Sequence, residues 1–510
     1  MLPAQNLRLP RRVRRLLPIL VLLLCTERAA AQARAVSLRD AVALAVRQNP
    51  ALAAAGAEVR IAEAGMLAAR GLDDFVLQAS ADWRDARGEA VAGGPVQEQA
   101  FDEVSGSLAL TRPLAAGGRL GLRFQTGYSR TRFATDLGGM LLEPSTAEAY
   151  APSLQLSLEQ PLLRGFGADV ARAERRRARS QRGVAAAERE GLAATLVRDV
   201  VSSYWELAYS AEELTIRRAS AAAAREQLLR VQANIAVGKL PRSASAEIEV
   251  AIALRDDSVL LAEQAVTERS LALGLSCGVP VSERLAAADA LAAADTRAGA
   301  ARGSEEAIEL ALAENPQLEA AREEGRGRAI ELNVTENGLL PQLDFTVAGG
   351  PVGSADDVSG AYEQMTGLGS YTITAGLAFA LPIGRHAARG AEEAAREGLR
   401  QSKLGEAELA ARVSAAVLLG IARRETARRR AELLGPSVRA AALDLEAEKA
   451  RFDGGRASNF DVLRRQDQLA AVQLLSLRAR VDELDALAAL DALTGEILER
   501  NGVVVGGAQP

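Results

Sequence analysis

Histidine and cysteine are nearly absent from this sequence of 510 residues, which has one histidine, His386, and two cysteines, Cys25 and Cys277. Zinc sites, iron–sulfur sites and Ser-His-Asp triads draw on these residues, so the inventory argues against all three. We therefore expect no catalytic residues, no metal site and no cofactor, and we predict a protein that is not an enzyme. The formal net charge of −5 is small for this length and argues against nucleic acid as a partner.

Long apolar runs are also missing. The apolar run 16–24 follows five arginines and is much shorter than the ~20 residues of a membrane-spanning helix. An A-x-A cleavage site follows at 29–31 or 31–33, so the segment predicts a cleaved signal peptide, residues 1–33. Lipidation of Cys25 is an alternative, disfavoured because Leu24 stands where a small residue is expected. An exported chain without apolar helices enters a membrane only through strands.

One segment of the chain occurs twice. Residues 41–52 contain Asn49-Pro50, residues 307–318 contain Asn315-Pro316, and the offset from 49 to 315 is 266 positions. Each copy is followed by alternating, strand-like sequence and then by a long stretch rich in Ala, Glu and Arg. The pattern predicts two structural repeats, residues 34–300 and 301–498, with a disordered tail at 499–510.

Each repeat shows the same order of elements. The first repeat predicts a short helix over 37–71, strands over 75–161, a long helix over 168–235 and a helix over 243–275. After an Ala-rich linker at 286–301, the second predicts a short helix from Ser304, strands over 343–382, a long helix over 386–452 and a helix over 458–498. The first long helix would measure roughly 100 Å at ~1.5 Å per residue. Its two adjacent apolar stripes predict packing on both flanks.

Aromatic residues are few and clustered. Of 17 in the chain, 12 lie in 75–166 or 343–382, and no Lys or Arg occurs between Arg328 and Arg385. Clustered aromatics with sparse basic charge are typical of lipid-facing strands with interfacial girdles. The alternative is a small soluble β-domain with an ordinary core.

Short motifs mark the borders of these elements. Besides the two Asn-Pro segments, they are Leu340-Pro341-Gln342-Leu343 before a strand, Gln160-Pro161-Leu162-Leu163-Arg164-Gly165 and Leu381-Pro382-Ile383-Gly384 after strands, and Gly455 with Asp461-Val462-Leu463. In this order, over residues 37–498, the sequence resembles the TolC-like outer membrane efflux proteins, or outer membrane factors.

The resemblance implies a mixed α/β membrane protein. A homotrimer would form one twelve-stranded transmembrane β-barrel, four strands from each protomer, continued by a long periplasmic α-helical barrel. Four strands cannot close alone, so trimerisation would remove the sheet edges. The expected location is the outer membrane of a Gram-negative bacterium, with outer membrane lipid as a partner.

The implied function is that of a passive exit duct in a tripartite efflux or type I secretion system. Its partners would be an inner-membrane efflux or ABC transporter and a periplasmic adaptor, also called a membrane fusion protein. Candidate adaptor contacts are the helical tips, Gly238, Lys239, Leu240, Pro241, Gly454, Gly455 and Ser458. The alternative is a periplasmic coiled-coil adaptor or structural envelope protein without a pore, but no compact lipoyl-like hairpin is apparent. The sequence identifies neither the cargo nor the pump.

The strand count departs from the family pattern. Residues 75–161 contain four strand signals where the family needs two, and the extra pair spans 104–133. The pair would either enlarge the barrel or form an extracellular hairpin, and we favour the hairpin. The first helix–strand junction also differs, with Asp73-Asp74 in place of Leu340-Pro341.

The periplasmic mouth is a second point of departure. The resemblance implies a pore constriction there, with Phe452, Arg456, Asp461 and Arg464 as candidates. Phe452 replaces a family tyrosine and lacks its hydroxyl, and Arg464 replaces a second aspartate. Asp461 also has a structural explanation, since Ser458 as N-cap with Asp461 three residues on forms a capping box. Cap and constriction both stay open at this point.

Overall fold

The computed structural model describes residues 33–91, 96–136, 145–291 and 303–504, so the predicted signal peptide and Cys25 lie outside the described residues. The chain divides into two units. The helical unit comprises Met1–Gly56, Glu188–Leu318 and Leu409–Pro510, and the sheet unit comprises Ala57–Ala187 and Glu319–Glu408. Each unit takes segments from both repeats, so the units do not coincide with the repeats of the sequence.

Each repeat contains several helices, and the longest of them lie in its Ala-rich sequence. In the first repeat they are α1 (Leu38–Gln48), α2 (Pro50–Arg70), α3 (Ala168–Ala171), α4 (Ala173–Ala236) and α5 (Ala244–Cys277). In the second repeat they are α6 (Ser304–Glu314), α7 (Pro316–Gly338), α8 (Val358–Thr366), α9 (His386–Asp453), α10 (Asn459–Leu493) and α11 (Ile497–Arg500). The long helices α4 and α9 end within one residue of their predicted ends.

Three predicted boundaries need correction. The single helix predicted over 37–71 is two helices, since Asn49 has extended backbone angles and the helix restarts at Pro50. The predicted linker begins with a strand, β7 (Leu285–Ala287), which pairs in parallel with β1 (Arg34–Val36). The predicted disordered tail begins inside α11, whose Ile497 and Leu498 are buried in the core of the helical unit.

The remaining strands form one antiparallel sheet. They are β2 (Val76–Val91), β3 (Val96–Pro113), β4 (Arg119–Asp136), β5 (Ser145–Tyr150), β6 (Ser153–Pro161), β8 (Gln342–Pro351) and β9 (Tyr371–Ala380). The order is β2-β3-β4-β6-β8-β9, and β5 pairs with the far end of β4. The short helix α8 lies in the connection between β8 and β9.

The extra strand pair belongs to the sheet, so the sheet of one protomer has more strands than the four that the resemblance implies. The extra pair, β3 and β4, stands between β2 and β6. It pairs with β2 from Val76↔Thr111 onward and with β6 from Arg119↔Glu159 onward. Both strands are 18 residues long. Strand β4 is thus long enough to pair with its short neighbour β6 and to extend beyond it.

The duplicated Asn-Pro motif performs the same two tasks in each repeat. Asn315 Oδ1 accepts hydrogen bonds from the backbone N–H groups of Gln317 and Leu318, which caps α7, and its Nδ2 donates to the Leu493 carbonyl oxygen at the end of α10 (3.2 Å). Asn49 caps α2 in the same way and donates to the Ser276 carbonyl oxygen of α5 (3.0 Å). Each asparagine therefore ties a helix start to the end of a distant helix.

A glycine accompanies each of these anchors. Gly278 and Gly495 follow the anchored helix ends with positive φ values of 70° and 77°. An added Cβ would lie 2.6 Å from the Gln48 carbonyl oxygen at Gly278, and 2.8 Å from the Glu314 carbonyl oxygen at Gly495. Left-handed backbone and this close approach both require glycine.

The main core of the helical unit lies around the β1–β7 pair. Tyr204 of α4 is fully buried there, next to Trp205 in an edge-to-face arrangement with ring centroids 5.2 Å apart. The Tyr204 hydroxyl contacts the Val36 carbonyl oxygen (3.1 Å) and Asp289 Oδ2 (2.8 Å), and it accepts from the Asp289 backbone N–H. Burial raises the pKa of Tyr204 to about 12. These bonds hold strand β1 against the long helix α4.

We expect Asn315→Ala to lower the free energy of unfolding by about 1–3 kcal/mol, because it removes a helix cap and leaves a part-buried carbonyl oxygen without its donor. Asn49→Ala should cost less, since Asn49 is half-buried while Asn315 is only 4% exposed. Asn333→Ala, exposed on α7, is the control and should stay within about 0.5 kcal/mol. Denaturant unfolding in detergent measures all three; equal losses for Asn315 and Asn333 would contradict the anchor role.

Candidate functional site

The register of the sheet collects its apolar side chains on one face. Directly paired residues of antiparallel strands point to the same side. From β2 to β9, the rows on this side are Leu77, Leu110, Leu122, Leu156, Gly349 and Ile373, and next to it Ala79, Leu108, Phe124 and Leu154. Most are exposed, for example Leu77 at 65% and Ile373 at 70%. We call this side the apolar face.

Aromatic residues border the apolar face. Trp83, Tyr128 and Tyr371 stand toward one end of the strands, and Phe345 and Phe379 toward the other. Trp83 is 73% exposed and Tyr371 is 70% exposed. A soluble β-domain with an ordinary core would bury such residues, so the lipid-facing interpretation of the sequence is favoured over it.

The opposite side of the sheet is polar on every strand. It carries Gln78, Ser80, Ser107, Gln125, Gln155, Ser157, Thr346 and Thr374, among others. Ion pairs cross it between neighbouring strands, such as Arg119 with Glu159 (3.7 Å). One wet and one apolar face on the same strands is the arrangement of a wall between lipid and water.

No helix among the described residues is both long and apolar enough to cross a membrane.

At the two predicted helical tips, the helices α4 and α9 end with the same backbone geometry. At the end of α4, Gly238 has φ 74° and the Lys239 N–H donates to the Asn234 carbonyl oxygen; at the end of α9, Gly455 has φ 71° and the Arg456 N–H donates to the Arg451 carbonyl oxygen. These are Schellman-type ends, in which a left-handed glycine lets the last carbonyls find donors. Exposed residues follow at each tip, Lys239 and Pro241 at one and Arg456 at the other.

A small core holds the two tips together. Phe452 is 9% exposed and packs with Val231, Ile248, Leu445, Val462 and Leu463, while Leu240 and Ala457 pack on the edge of this cluster. Gln227 Nε2 donates to Asn459 Oδ1 (3.1 Å) beside it. The predicted tip residues of both repeats are therefore brought together. Phe452 fills this core, and Arg456 and Arg464 are exposed.

Asp461 is a helix cap in the structure. Asp461 Oδ2 accepts from the Ser458 backbone N–H (3.0 Å) and the Ser458 hydroxyl (2.6 Å), and Ser458 Oγ accepts from the Asp461 N–H (3.2 Å). The predicted capping box is thus confirmed. The Ser458 hydroxyl holds the pKa of Asp461 below its usual range, and Arg464 and Arg465 lower it further. Next to it, Phe460 is 62% exposed, an apolar surface that the sequence analysis did not single out.

Arg255 is a second feature that the sequence did not reveal. This α5 side chain is 8% exposed. Its Nη1 donates to Gln466 Oε1 (2.8 Å) and to the Ser220 carbonyl oxygen (3.1 Å), and its Nη2 donates to Asp467 Oδ1 (2.7 Å). A buried guanidinium is costly unless several acceptors surround it, and here they come from α4 and α10. Arg255 therefore cross-links three helices.

Charged side chains also meet between α4, α5 and α10. Arg478 Nη1 lies 2.6 Å from Glu206 Oε1, and Arg478 Nε lies 2.8 Å from Asp482 Oδ1. Arg269 of α5 reaches Glu206 from the other side (3.7 Å). Asp485 lies behind this group with Oδ1 buried and without a hydrogen-bond partner. Burial raises the pKa of Asp485 to about 6, with Glu206 and Asp482 adding to the rise and Ser202 and Arg478 opposing it.

The sequence and the fold are both similar to those of known proteins. Residues 307–496, most of the second repeat, match the family model of the outer membrane efflux proteins. The solved CmeC outer membrane channel of Campylobacter jejuni has 14% sequence identity and a TM-score of 0.62, over 90% of this chain and 85% of that one. The chain is similar to the outer membrane efflux proteins. The predicted family resemblance is thus confirmed.

Two further channels share the fold. The outer membrane protein VceC of Vibrio cholerae has 15% identity and a TM-score of 0.62, over 90% of this chain and 96% of that one. The open-state MtrE outer membrane channel of Neisseria gonorrhoeae has 15% identity and a TM-score of 0.63, over 90% and 89%. No curated relative matches the sequence. At such low identities the likeness establishes the fold, which combines an antiparallel sheet with long helices from two repeats.

We expect Asp485→Asn to raise the melting temperature at pH 7.5 by a few degrees and to have little effect near pH 4. The carboxyl ionises at about pH 6 in the folded state and near pH 4 in the unfolded chain. The folded state binds more protons between these values, so stability falls as pH rises through this window. Asparagine does not ionise, so the variant keeps the stability that the wild type loses as pH rises through this window.

The control for this pH dependence is Asp257→Asn, at an exposed position of α5. Its melting temperature should follow that of the wild type at both pH values. Calorimetry of the purified protein at pH 4, 6 and 7.5 measures the effect. An Asp485→Asn variant less stable than the wild type at pH 7.5 would show that the carboxylate is held ionised by Arg478.

Proposed function

We propose that the protein is an outer membrane channel, a passive trimeric exit duct for substrates handed over by an inner-membrane pump through a periplasmic adaptor. The observation that carries this proposal is the sheet, whose strands present one continuous apolar face and one polar face. Its polar face would line the water-filled duct, and its apolar face would contact outer membrane lipid.

The two ends of the sheet support a trimer. Among the described residues, β2 pairs only with β3 and β9 pairs only with β8, so each outer strand has an unpaired edge. An unpaired backbone group costs several kcal/mol in lipid, where no water can replace the missing partner. Pairing β9 of one protomer with β2 of the next would remove every edge and close a ring.

The helices supply the periplasmic part of the duct in this proposal. The tips formed by Gly238–Pro241 and Gly454–Ser458 would meet the adaptor, where Lys239, Arg456 and Phe460 are exposed. The alternative function, a periplasmic adaptor or structural protein without a pore, gives no reason for an exposed apolar face bordered by aromatic residues. Drugs, metal ions and polypeptides all remain candidate cargoes.

Asp461 would also narrow the mouth of the duct. Threefold symmetry would place three Asp461 carboxylates around one axis, where they would attract cations and raise one another's pKa. This rise would oppose the lowering by Ser458 within each protomer. The cap leaves the charge in place, so a cap and a ring of carboxylates are compatible. Three such groups would also offer oxygen ligands to multivalent cations that block the channel.

We expect the protein to fractionate with the outer membrane on a sucrose gradient and to have the mass of three chains in detergent. Both follow from a sheet that is apolar on one side and open at both edges. Envelope fractionation and light scattering of the purified protein measure them. Recovery in the soluble periplasm would rule out the channel, and a stable monomer would rule out closure between protomers.

We expect Asp461→Asn to reduce cation selectivity and multivalent cation block in planar bilayers while the trimer stays intact. The amide keeps an acceptor oxygen for the Ser458 N–H but removes the charge. Ser458→Ala is the matched control, because it loses about 1 kcal/mol of cap stabilisation and keeps the carboxylate. Unchanged selectivity in Asp461→Asn would reduce Asp461 to a helix cap.

A further inference from the structure

The extra hairpin, formed by β3 and β4, has the same alternation of apolar and polar residues as the neighbouring strands. Leu110 of β3 pairs with Leu77 on one side and with Leu122 of β4 on the other, and Leu122 pairs with Leu156 of β6. The apolar face therefore runs without interruption from β2 through the hairpin to β6. The hairpin's other side is polar, with Ser107 and Gln125. A hairpin surrounded by water would not require its apolar residues to align with those of β2 and β6.

The apolar segment of β4 has the length of a membrane strand. From Leu120 to Tyr128 it covers nine residues, and its alternate positions point to the apolar face. A strand needs ≈ 9–11 residues to cross the hydrocarbon core when tilted. Beyond Tyr128, the same side carries Arg130 and Arg132, which pair with Glu148 (2.9 Å) and Asp102 (2.7 Å). The change from apolar to charged residues marks the edge of the apolar band.

The turn of the hairpin is packed against the helix–strand junctions. Residues 114–118 connect β3 to β4, and the Ala116 carbonyl oxygen accepts from the Gly167 N–H (3.1 Å) and from Gln160 Nε2 (3.2 Å). A Cβ at Gly117 would lie only 2.2 Å from the Gly165 carbonyl oxygen. The turn therefore sits at the end of the sheet where β6 leads into the helices.

We propose that the β3–β4 hairpin lies in the membrane wall, with its apolar face against the acyl chains of outer membrane lipid. Each protomer then supplies six strands, and the trimer forms an eighteen-stranded barrel in place of the twelve implied by the resemblance. This inference rests on the proposed function. Barrel diameter grows roughly linearly with strand number, so the outlet would be about 1.5 times as wide as with twelve strands.

The geometry of closure permits this count. All neighbouring strands of the sheet are antiparallel, and six is even, so β9 of one protomer and β2 of the next also run antiparallel. Inserting a hairpin adds two strands and leaves the closing strands unchanged. The wider outlet would place size selection in the helical part of the duct and admit bulkier solutes through the barrel.

The test places an arginine on each face of the hairpin. Leu122→Arg puts a charge on the apolar face of β4, and Gln125→Arg puts the same charge on the polar face three residues away. If the hairpin lies in the membrane wall, Leu122→Arg should reduce the amount of folded trimer in the outer membrane at least tenfold. Gln125→Arg should leave that amount near the wild-type level. Trimer in purified outer membranes is measured by its band in unheated gels. Equal, near-wild-type amounts of both variants would overturn the proposal.

A pair of variants on β9 separates this inference from the proposed function. Leu377→Arg changes the apolar face and Thr374→Arg the polar face of a strand whose place in the wall does not depend on the hairpin. If Leu377→Arg depletes the trimer and Leu122→Arg does not, the hairpin lies outside the wall. If neither does, the channel itself is refuted, and the hairpin proposal with it.

Electron cryomicroscopy of the wild-type trimer in lipid nanodiscs gives the strand count without any substitution. Eighteen strands at the level of Leu122 support the inference. Twelve strands with β3 and β4 above the membrane overturn it.

Discussion

The pairing register of the six-strand path is the constraint on which the rest of the structure depends. Side chains alternate with a period of two, so a slip of one residue in any pair would send that strand's apolar side chains to the polar face. In the observed register Leu77, Leu110, Leu122 and Leu156 fall in one row. The sheet has one apolar and one polar face only because this agreement holds across every pair.

The duplication supplies the second constraint. Asn49 and Asn315 each cap a helix and hold the end of another through the two halves of one amide. A glycine with positive φ stands beside each, where a Cβ would strike a carbonyl oxygen. A side chain that both accepts and donates is needed here, and an ionised Asp, which only accepts, would satisfy only part of the set. The repeats thus keep the same junction in spite of different surroundings.

At the tips, one residue serves local structure and offers charge at once. The capping box fixes the position of the Asp461 carboxylate through Ser458, so its charge stays at a defined place on the tip. Phe452 contributes by packing, since it is buried with residues of four helices. The core of the tips therefore depends on the ring of Phe452 and needs no hydroxyl at this position.

The sequence by itself determined the order of elements, the two repeats, the long helices and the capping box at Ser458. These depend on local periodicity and on residues close in the chain, such as Asn315 with Pro316. It also contained the alternation of β3 and β4, but alternation alone does not say which strands are neighbours.

Only the tertiary structure decided that the hairpin stands between β2 and β6, because strand order depends on contacts between distant residues such as Leu122 and Leu156. The same holds for Arg255, whose acceptors lie on α4 and α10, and for Asp485, whose raised pKa comes from burial between helices. Helices and strands can be predicted from residues that are close in the sequence. Burial and strand order depend on contacts between segments that are far apart in the sequence.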